Sequence, residues 1–246
     1  MDVRLSDIGM GTNAHKSQRV AAIVVAAGVS RRMGGVDKVF AEVAGKPLLA
    51  HSVQVLEDTP EVDSIVLVLA SENVERGRGL AAAQRWSKVR KVCAGGARRQ
   101  DSVRKGLAAA KGAEWLIIQD GARPCVDAAM VRRGLDAAKE TGAAIAAVQM
   151  KDTIKVVDQK MDVVDTPSRD MLWAVQTPQV FRAALLQQAH ETVAEDVTDD
   201  ASMVERIGGK VKVFPGSYEN IKVTTPEDLA VVEATLRRRA TAGVAR

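Results

Sequence analysis

Hydrophobic residues in this chain come in short runs, and the runs alternate between two spacings. Residues 20–25 (V-A-A-I-V-V), 64–70 and 115–119 are almost continuously apolar, the pattern of strands buried on both faces. Residues 89–93, 143–149 and 211–214 predict further strands, and 220–223 a short one. Between them, apolar positions fall at helical spacing. Pro47 opens a helix over 47–55 that stops near Asp58-Thr59-Pro60, and 100–111 places Val103, Leu107 and Ala110 on one face. Helices are also predicted over 73–84 (weakened by Gly77 and Gly79), 128–140, 182–192, 201–207 and 226–239. This alternation predicts an α/β fold, a mostly parallel sheet with helices on both faces.

One stretch breaks the alternation. Residues 153–157 and 162–164 are short polar–apolar alternations joined by Asp158-Gln159-Lys160, a hairpin with too little apolar surface to stand alone. It predicts a protruding β-arm, about 150–173, that packs on a second subunit to form a homodimer. Residues 1–19 are polar and lack the apolar run of a signal peptide, so they are expected to be a disordered extension or a misassigned start, which leaves 20–240 as a single domain.

Composition narrows the function. Of 246 residues, 46% are hydrophobic and 27% charged, as in an ordinary globular protein. Aromatics, at 3%, are too scarce for a single-strand stacking platform, and no apolar run is long enough to cross a membrane. Neither a nucleic-acid nor a membrane partner is expected. The net charge of +4 suits an enzyme of small anions as well as a weak nucleic-acid binder, and by itself does not choose between them. Cys93 and Cys125 have no CxxC spacing, so a reducing cytoplasm is expected, and His15, His51 and His190 are too scattered to suggest histidine chemistry.

Candidate chemistry falls just after the strands, where ligands of open α/β sheets sit. Ala26-Ala27-Gly28 ends the first strand, with Arg31, Arg32 and Lys38 following. That loop is either a phosphate cradle with its cations or a plain strand-to-helix turn; neither the dinucleotide nor the P-loop spacing is met. Gly95-Gly96 allow close approach to a flat base and Ser102 could select a base edge, although Asp101 or Ser102 could equally cap the helix. Asp120-Gly121-Ala122-Arg123-Pro124 offers a carboxylate for magnesium or hydroxyl positioning, or else an ion pair closing a turn. Lys222 sits between Ile221 and Val223, where it could be aimed at an anion. Thr225, Pro226 and Asp228 have the order of a helix start. Arg169 and Thr153 lie in the arm.

Taken together, A-A-G-x-x-R-R-M-G…K, G-G-x-x-R-x-x-S-V, D-G-A-R-P, K-D-T-I-K, R…L-W…Q-T-P-Q-x-F, T-D-D-A-S and N-I-K-V-T-x-P-E-D-L run in order over residues 20–235. In this the chain resembles the 2-C-methyl-D-erythritol 4-phosphate cytidylyltransferase family of the non-mevalonate isoprenoid pathway. The resemblance implies a Rossmann-like nucleotidyltransferase fold with a β-arm exchanged across a homodimer. It implies transfer of CMP from CTP to 2-C-methyl-D-erythritol 4-phosphate, with Mg²⁺ and release of pyrophosphate. On it, Arg32 and Lys38 stabilise the α-phosphate, and Arg169 and Lys222 position the acceptor with Thr153. Ala26, Ala27, Gly28, Gly96, Ser102 and Gly121 contact CTP, while Asp120 and Arg123 lie on the acceptor side, Asp120 also serving as metal ligand. Two positions depart from the family pattern: Asp37-Lys38-Val39 replaces Pro-Lys-Gln, and Ala97 replaces a commonly charged residue. A ribitol-5-phosphate cytidylyltransferase and a catalytically silent nucleotide-binding module are the alternatives. The D-G-A-R-P motif lacks the serine of the ribitol enzymes.

Overall fold

The computed structural model describes residues 19–28 and 37–244. Arg32 and all but the last residue of the expected N-terminal extension lie outside them. The first half runs β1 (Val20–Ala26), β2 (Glu42–Val43), β3 (Lys46–Pro47), α1 (Leu48–Asp58), β4 (Ser64–Leu69), α2 (Val74–Ala83), β5 (Val89–Ala94) and α3 (Arg99–Ala109). It continues with β6 (Trp115–Asp120), α4 (Ala128–Thr141), β7 (Ala143–Gln149), β8 (Val156–Val157), β9 (Val163–Asp165) and β10 (Trp173–Arg182). The chain closes with α5 (Ala183–Thr192), α6 (Asp200–Arg206), β11 (Lys212–Pro215) and α7 (Pro226–Val244).

Seven strands form one sheet in the order β11-β7-β10-β6-β1-β4-β5. β1 lies inside it, parallel to β4 and β6, and β10 is antiparallel to both its neighbours. Alternate β1 residues serve opposite faces. Ala22 and Val24 pack with Leu49 and Val53 of α1 and Met130 of α4, while Ala21 and Ile23 pack with Val103, Leu186 and Met203 of α3, α5 and α6. Both faces are therefore dry, which is why β1 reads as an unbroken apolar run.

Three expectations change. The ten-residue strand β10 has no counterpart in the hydrophobic pattern. Pro178 lies inside it, and Gln176, Thr177 and Gln179 are polar yet buried. Proline cannot donate to a ladder, and it falls within the register shift between Val175 and Gln179. Residues 220–223 form no strand; Val223 donates its N–H to the Ala122 carbonyl and buries its side chain beside Val43, Leu48 and Val232. Gly77, which looked like a helix weakness, is a close-approach point: a Cβ there would lie 2.2 Å from Leu69 Cδ1.

The arm is present as a separate two-stranded sheet, β8 with β9, shorter than its alternating pattern. Its turn is held locally by the Asp158 carboxylate, which accepts from the N–H groups of Lys160 and Asp162.

Candidate active site

The carboxyl ends of β1, β5 and β6 converge, and small residues make that possible. A Cβ on Gly95 would lie 2.3 Å from Ala27 Cβ, and one on Gly121 would lie 2.8 Å from Ala26 Cβ. The three strand-end loops thus touch one another, and Gly95 and Gly121 leave room for that contact. Above them opens a cleft of about 340 Å³ lined by Ala26, Ala27, Gly28, Lys38, Gly96, Ser102, Asp120 and Lys222. Eight of the residues singled out by sequence therefore share one cavity. Gly121 does not line it; it is buried beneath, where its carbonyl accepts from Ser52 Oγ.

Lys38 begins a one-turn 3-10 helix, Lys38–Phe40. Its Nζ donates to the Val223 carbonyl at 3.2 Å, which brings it to the segment that carries Lys222. The neighbouring Asp37 faces another way: its carboxylate accepts from Asn73 Nδ2 at 2.5 Å. The acidic departure beside Lys38 is thereby tied to another loop.

Asp120 ends β6 with its side chain almost fully enclosed, and three cations surround it. Lys222 Nζ lies 2.9 Å from Oδ2, Arg123 Nε 3.5 Å from Oδ2, and Arg99 Nε 3.7 Å from Oδ1. Burial pushes this carboxyl upward, but Lys222 and then Arg99 and Arg123 outweigh it and hold the group below its ordinary value. Its backbone N–H donates to Thr177 Oγ1 at 3.0 Å, which gives the polar centre of β10 its purpose. A magnesium ion bound to this carboxylate does not fit: both oxygens already face cations. Among the described residues, no group of three or more His, Cys, Asp or Glu could hold a metal.

Arg123 is mainly a brace. Its Nη1 donates to the Asn220 carbonyl at 2.7 Å, fixing the loop that presents Lys222. Asn220 is itself buried, donating from Nδ2 to the Thr177 carbonyl at 2.8 Å. Arg123 also lines a second cleft of about 440 Å³, with Gln176, Thr177 and Thr198, that shares Arg99, Asp120 and Lys222 with the first.

Ser102 is not a free hydroxyl. Its Oγ accepts from the Gly96 N–H at 3.1 Å and donates to the Arg98 carbonyl at 3.2 Å, so it shapes the glycine loop from below. Asp101 caps α3: it accepts the Arg98 N–H and pairs with Arg98 and Arg104. Its hydrogen bonds with Arg98 take the carboxyl down to about 2. The capping reading of this motif holds for Asp101. Asp228 does the same for α7, accepting from the N–H groups of Thr224 and Thr225.

Arg169 and Thr153 are not brought to the cleft of their own chain. Both are exposed in the arm region, and Arg169 Nη1 donates to the Lys151 carbonyl at 3.2 Å. Arg99, Thr177 and Asp200 were missed as site residues. Their signals were present in the G-G-x-x-R, Q-T-P-Q and T-D-D-A-S motifs, but polarity alone did not say that Arg99 and Thr177 would meet Asp120 or that a buried Asp200 would hold Arg99.

Comparison with known proteins identifies the family. The family model for 2-C-methyl-D-erythritol 4-phosphate cytidylyltransferase (IspD) matches residues 20–238. The protein of that name from Dehalococcoides mccartyi is 47% identical over 222 residues, covering 90% of this chain and 98% of the relative. Its namesake from Geobacillus thermodenitrificans is 46% identical over 225 residues, covering 89% and 97%. The crystal structure of the 4-diphosphocytidyl-2C-methyl-D-erythritol synthase from Anaerococcus prevotii superposes with a TM-score of 0.81 at 30% identity, covering 90% of this chain and 99% of that one. The cytidylyltransferase from Thermus thermophilus gives 0.73 at 30% identity, covering 87% and 98%. This chain belongs to the 2-C-methyl-D-erythritol 4-phosphate cytidylyltransferase family.

Proposed function

We propose that this chain transfers the CMP moiety of CTP to 2-C-methyl-D-erythritol 4-phosphate, giving 4-diphosphocytidyl-2-C-methyl-D-erythritol and pyrophosphate. The observation that carries this reading is the convergence of Lys38 and Lys222 on a cleft floored by the small residues Ala26 to Gly28 and Gly96. A phosphate monoester is already ionised near neutral pH, so the acceptor can attack the α-phosphorus in line without a general base. The described histidines agree with that: His51 meets the Val43 carbonyl and His190 meets Asp200, and neither lines the cleft. What the reaction requires is positioning and neutralisation of charge growing on the α-phosphate.

In this reading Lys38, with Arg32, neutralises the α-phosphate, and Ala26, Ala27, Gly28, Gly96 and Ser102 form the nucleotide side. Lys222 keeps its side chain 39% exposed while anchored on Asp120, so it can meet the acceptor phosphate without searching for a position. Magnesium would come with the nucleotide, as part of the substrate, and would supply further neutralisation of phosphate charge.

The arm completes the site from a second copy. Val156, Val157, Met161, Val163 and Val164 are exposed on it, an apolar surface that a homodimer would cover, and Arg169 and Thr153 travel with it. A cytoplasmic location is inferred from the free Cys93 and Cys125, as a reducing compartment would keep them; among the described residues no helix is long and apolar enough to cross a membrane. The test is pyrophosphate release with each of the four NTPs and with 2-C-methyl-D-erythritol 4-phosphate or ribitol 5-phosphate as acceptor. Release confined to CTP and the methylerythritol phosphate is expected. Faster release with ribitol 5-phosphate, or none with either acceptor, overturns the reading.

A further inference from the structure

Behind the cleft lies a buried polar chain that the transfer reaction does not itself require. Asp200, at the start of α6, has no solvent exposure. Its Oδ2 accepts from Arg99 Nη1 at 2.6 Å and its Oδ1 from His190 Nε2 at 3.0 Å. Arg99 then turns its Nε towards Asp120 Oδ1 at 3.7 Å, and Asp120 holds Lys222 on its other oxygen at 2.9 Å. A continuous relay therefore runs from a core histidine to the lysine that faces the cleft: His190, Asp200, Arg99, Asp120, Lys222. His190 is buried, and among the described residues its Nδ1 has no hydrogen-bond partner. Its ring is held through Nε2 on Asp200. The His190 backbone is pinned in turn, because Arg104 donates to its carbonyl and to that of Val193.

We propose that His190 and Asp200 are positioning residues for the acceptor half of the reaction, a role that rests on the cytidylyl-transfer reading above. Arg99 has two carboxylates within reach, and the division of its donors between them decides how firmly Asp120 grips Lys222. Asp200, oriented by His190, takes the Nη1 end of the guanidinium and leaves only Nε facing Asp120, at 3.7 Å. Without that restraint Arg99 swings fully onto Asp120 and displaces Lys222, which then loses its fixed place for the acceptor phosphate. Networks of this kind transmit orientation because each member has one satisfied geometry and expensive alternatives.

The test compares Asp200→Asn, His190→Phe and His190→Gln with the wild-type enzyme by steady-state pyrophosphate release, with CTP affinity measured separately by calorimetry. Both Asp200→Asn and His190→Phe should lower kcat/KM for 2-C-methyl-D-erythritol 4-phosphate by about 10–100-fold, the usual cost of losing an outer-shell orienter. The Kd for CTP should change by less than about threefold. His190→Gln, which retains a side-chain N–H donor, should recover most of the loss seen in His190→Phe. Equal losses for CTP and acceptor, or identical behaviour of the Gln and Phe variants, overturn the proposal. If Asp200→Asn does not fold, the two His190 variants decide alone. A wild-type enzyme inactive on this acceptor refutes the reaction instead, and the two failures are thereby distinct.

Discussion

The cleft and the arm both place basic residues beside acidic ones, and they treat them in opposite ways. In the cleft, Asp120 is almost fully enclosed and is met by Lys222, Arg99 and Arg123 from three separate segments of chain. In the arm, Arg169 and Asp170 are adjacent and exposed, and Arg169 donates to a backbone carbonyl close to the arm's root. Charges in the cleft are pre-positioned by their own chain, and their desolvation is offset before any substrate arrives. Those of the arm remain hydrated and gain strength only when something else excludes the water. One region holds its charges against one another; the other holds them in water.

The comparison can be broken at either end. Lys38→Ala or Lys222→Ala should produce the largest effect, a fall in kcat of ~10²-fold or more, by analogy with loss of a charge-stabilising donor. Near-normal turnover in both variants would remove the cleft's claim to the chemistry. Arg169→Ala should instead raise KM for the acceptor while leaving KM for CTP nearly unchanged. If the arm reaches a partner's cleft, mixing inactive Lys38→Ala subunits with Arg169→Ala subunits should restore activity through hybrid dimers.

Stability should divide the same way. Asp120→Asn leaves three cations without their common carboxylate, and a loss of about 3–5 kcal/mol is expected, visible as a lower Tm. Val163→Lys in the arm should leave the fold's stability within ~0.5 kcal/mol and instead shift the sedimentation of the assembly towards monomer. The smallest effect concerns pH. Asp120 and Asp200 are buried, yet both lie below the ordinary 3.8 because Lys222 and Arg99 act on the first, and Arg99 and His190 on the second. A carboxyl lower in the folded than in the unfolded state adds stability above its unfolded value and loses it as pH falls through its folded value. Urea midpoints should therefore drop on acidification below about pH 4. The Asp120→Asn variant should show a shallower fall.

Much of this was legible in the chain. β1, β4, β6 and β7 are continuous apolar runs because both their faces are buried, so periodicity found them within a residue or so. The cleft loops were legible for a different reason: small residues and cations directly after strands are local patterns. β10 was not, because a ten-residue strand containing Pro178 and three buried polar side chains contradicts strand chemistry until its partners are known. Thr177 is polar and buried because the backbone of Asp120 requires an acceptor there, and that acceptor lies far away in sequence.

By itself, then, the order of residues determined the alternating fold, the position of the glycine loops, the candidate cations Lys38 and Lys222 and the existence of an arm. Each depends on neighbours within a few positions. The tertiary structure decided what those groups are bound to: that Asp37 turns to Asn73, that Ser102 braces Gly96, and that Asp120 is a hub for cations where a magnesium ligand was expected. Those outcomes depend on which charges and dipoles meet once water is excluded, and these are contributed by segments distant in sequence.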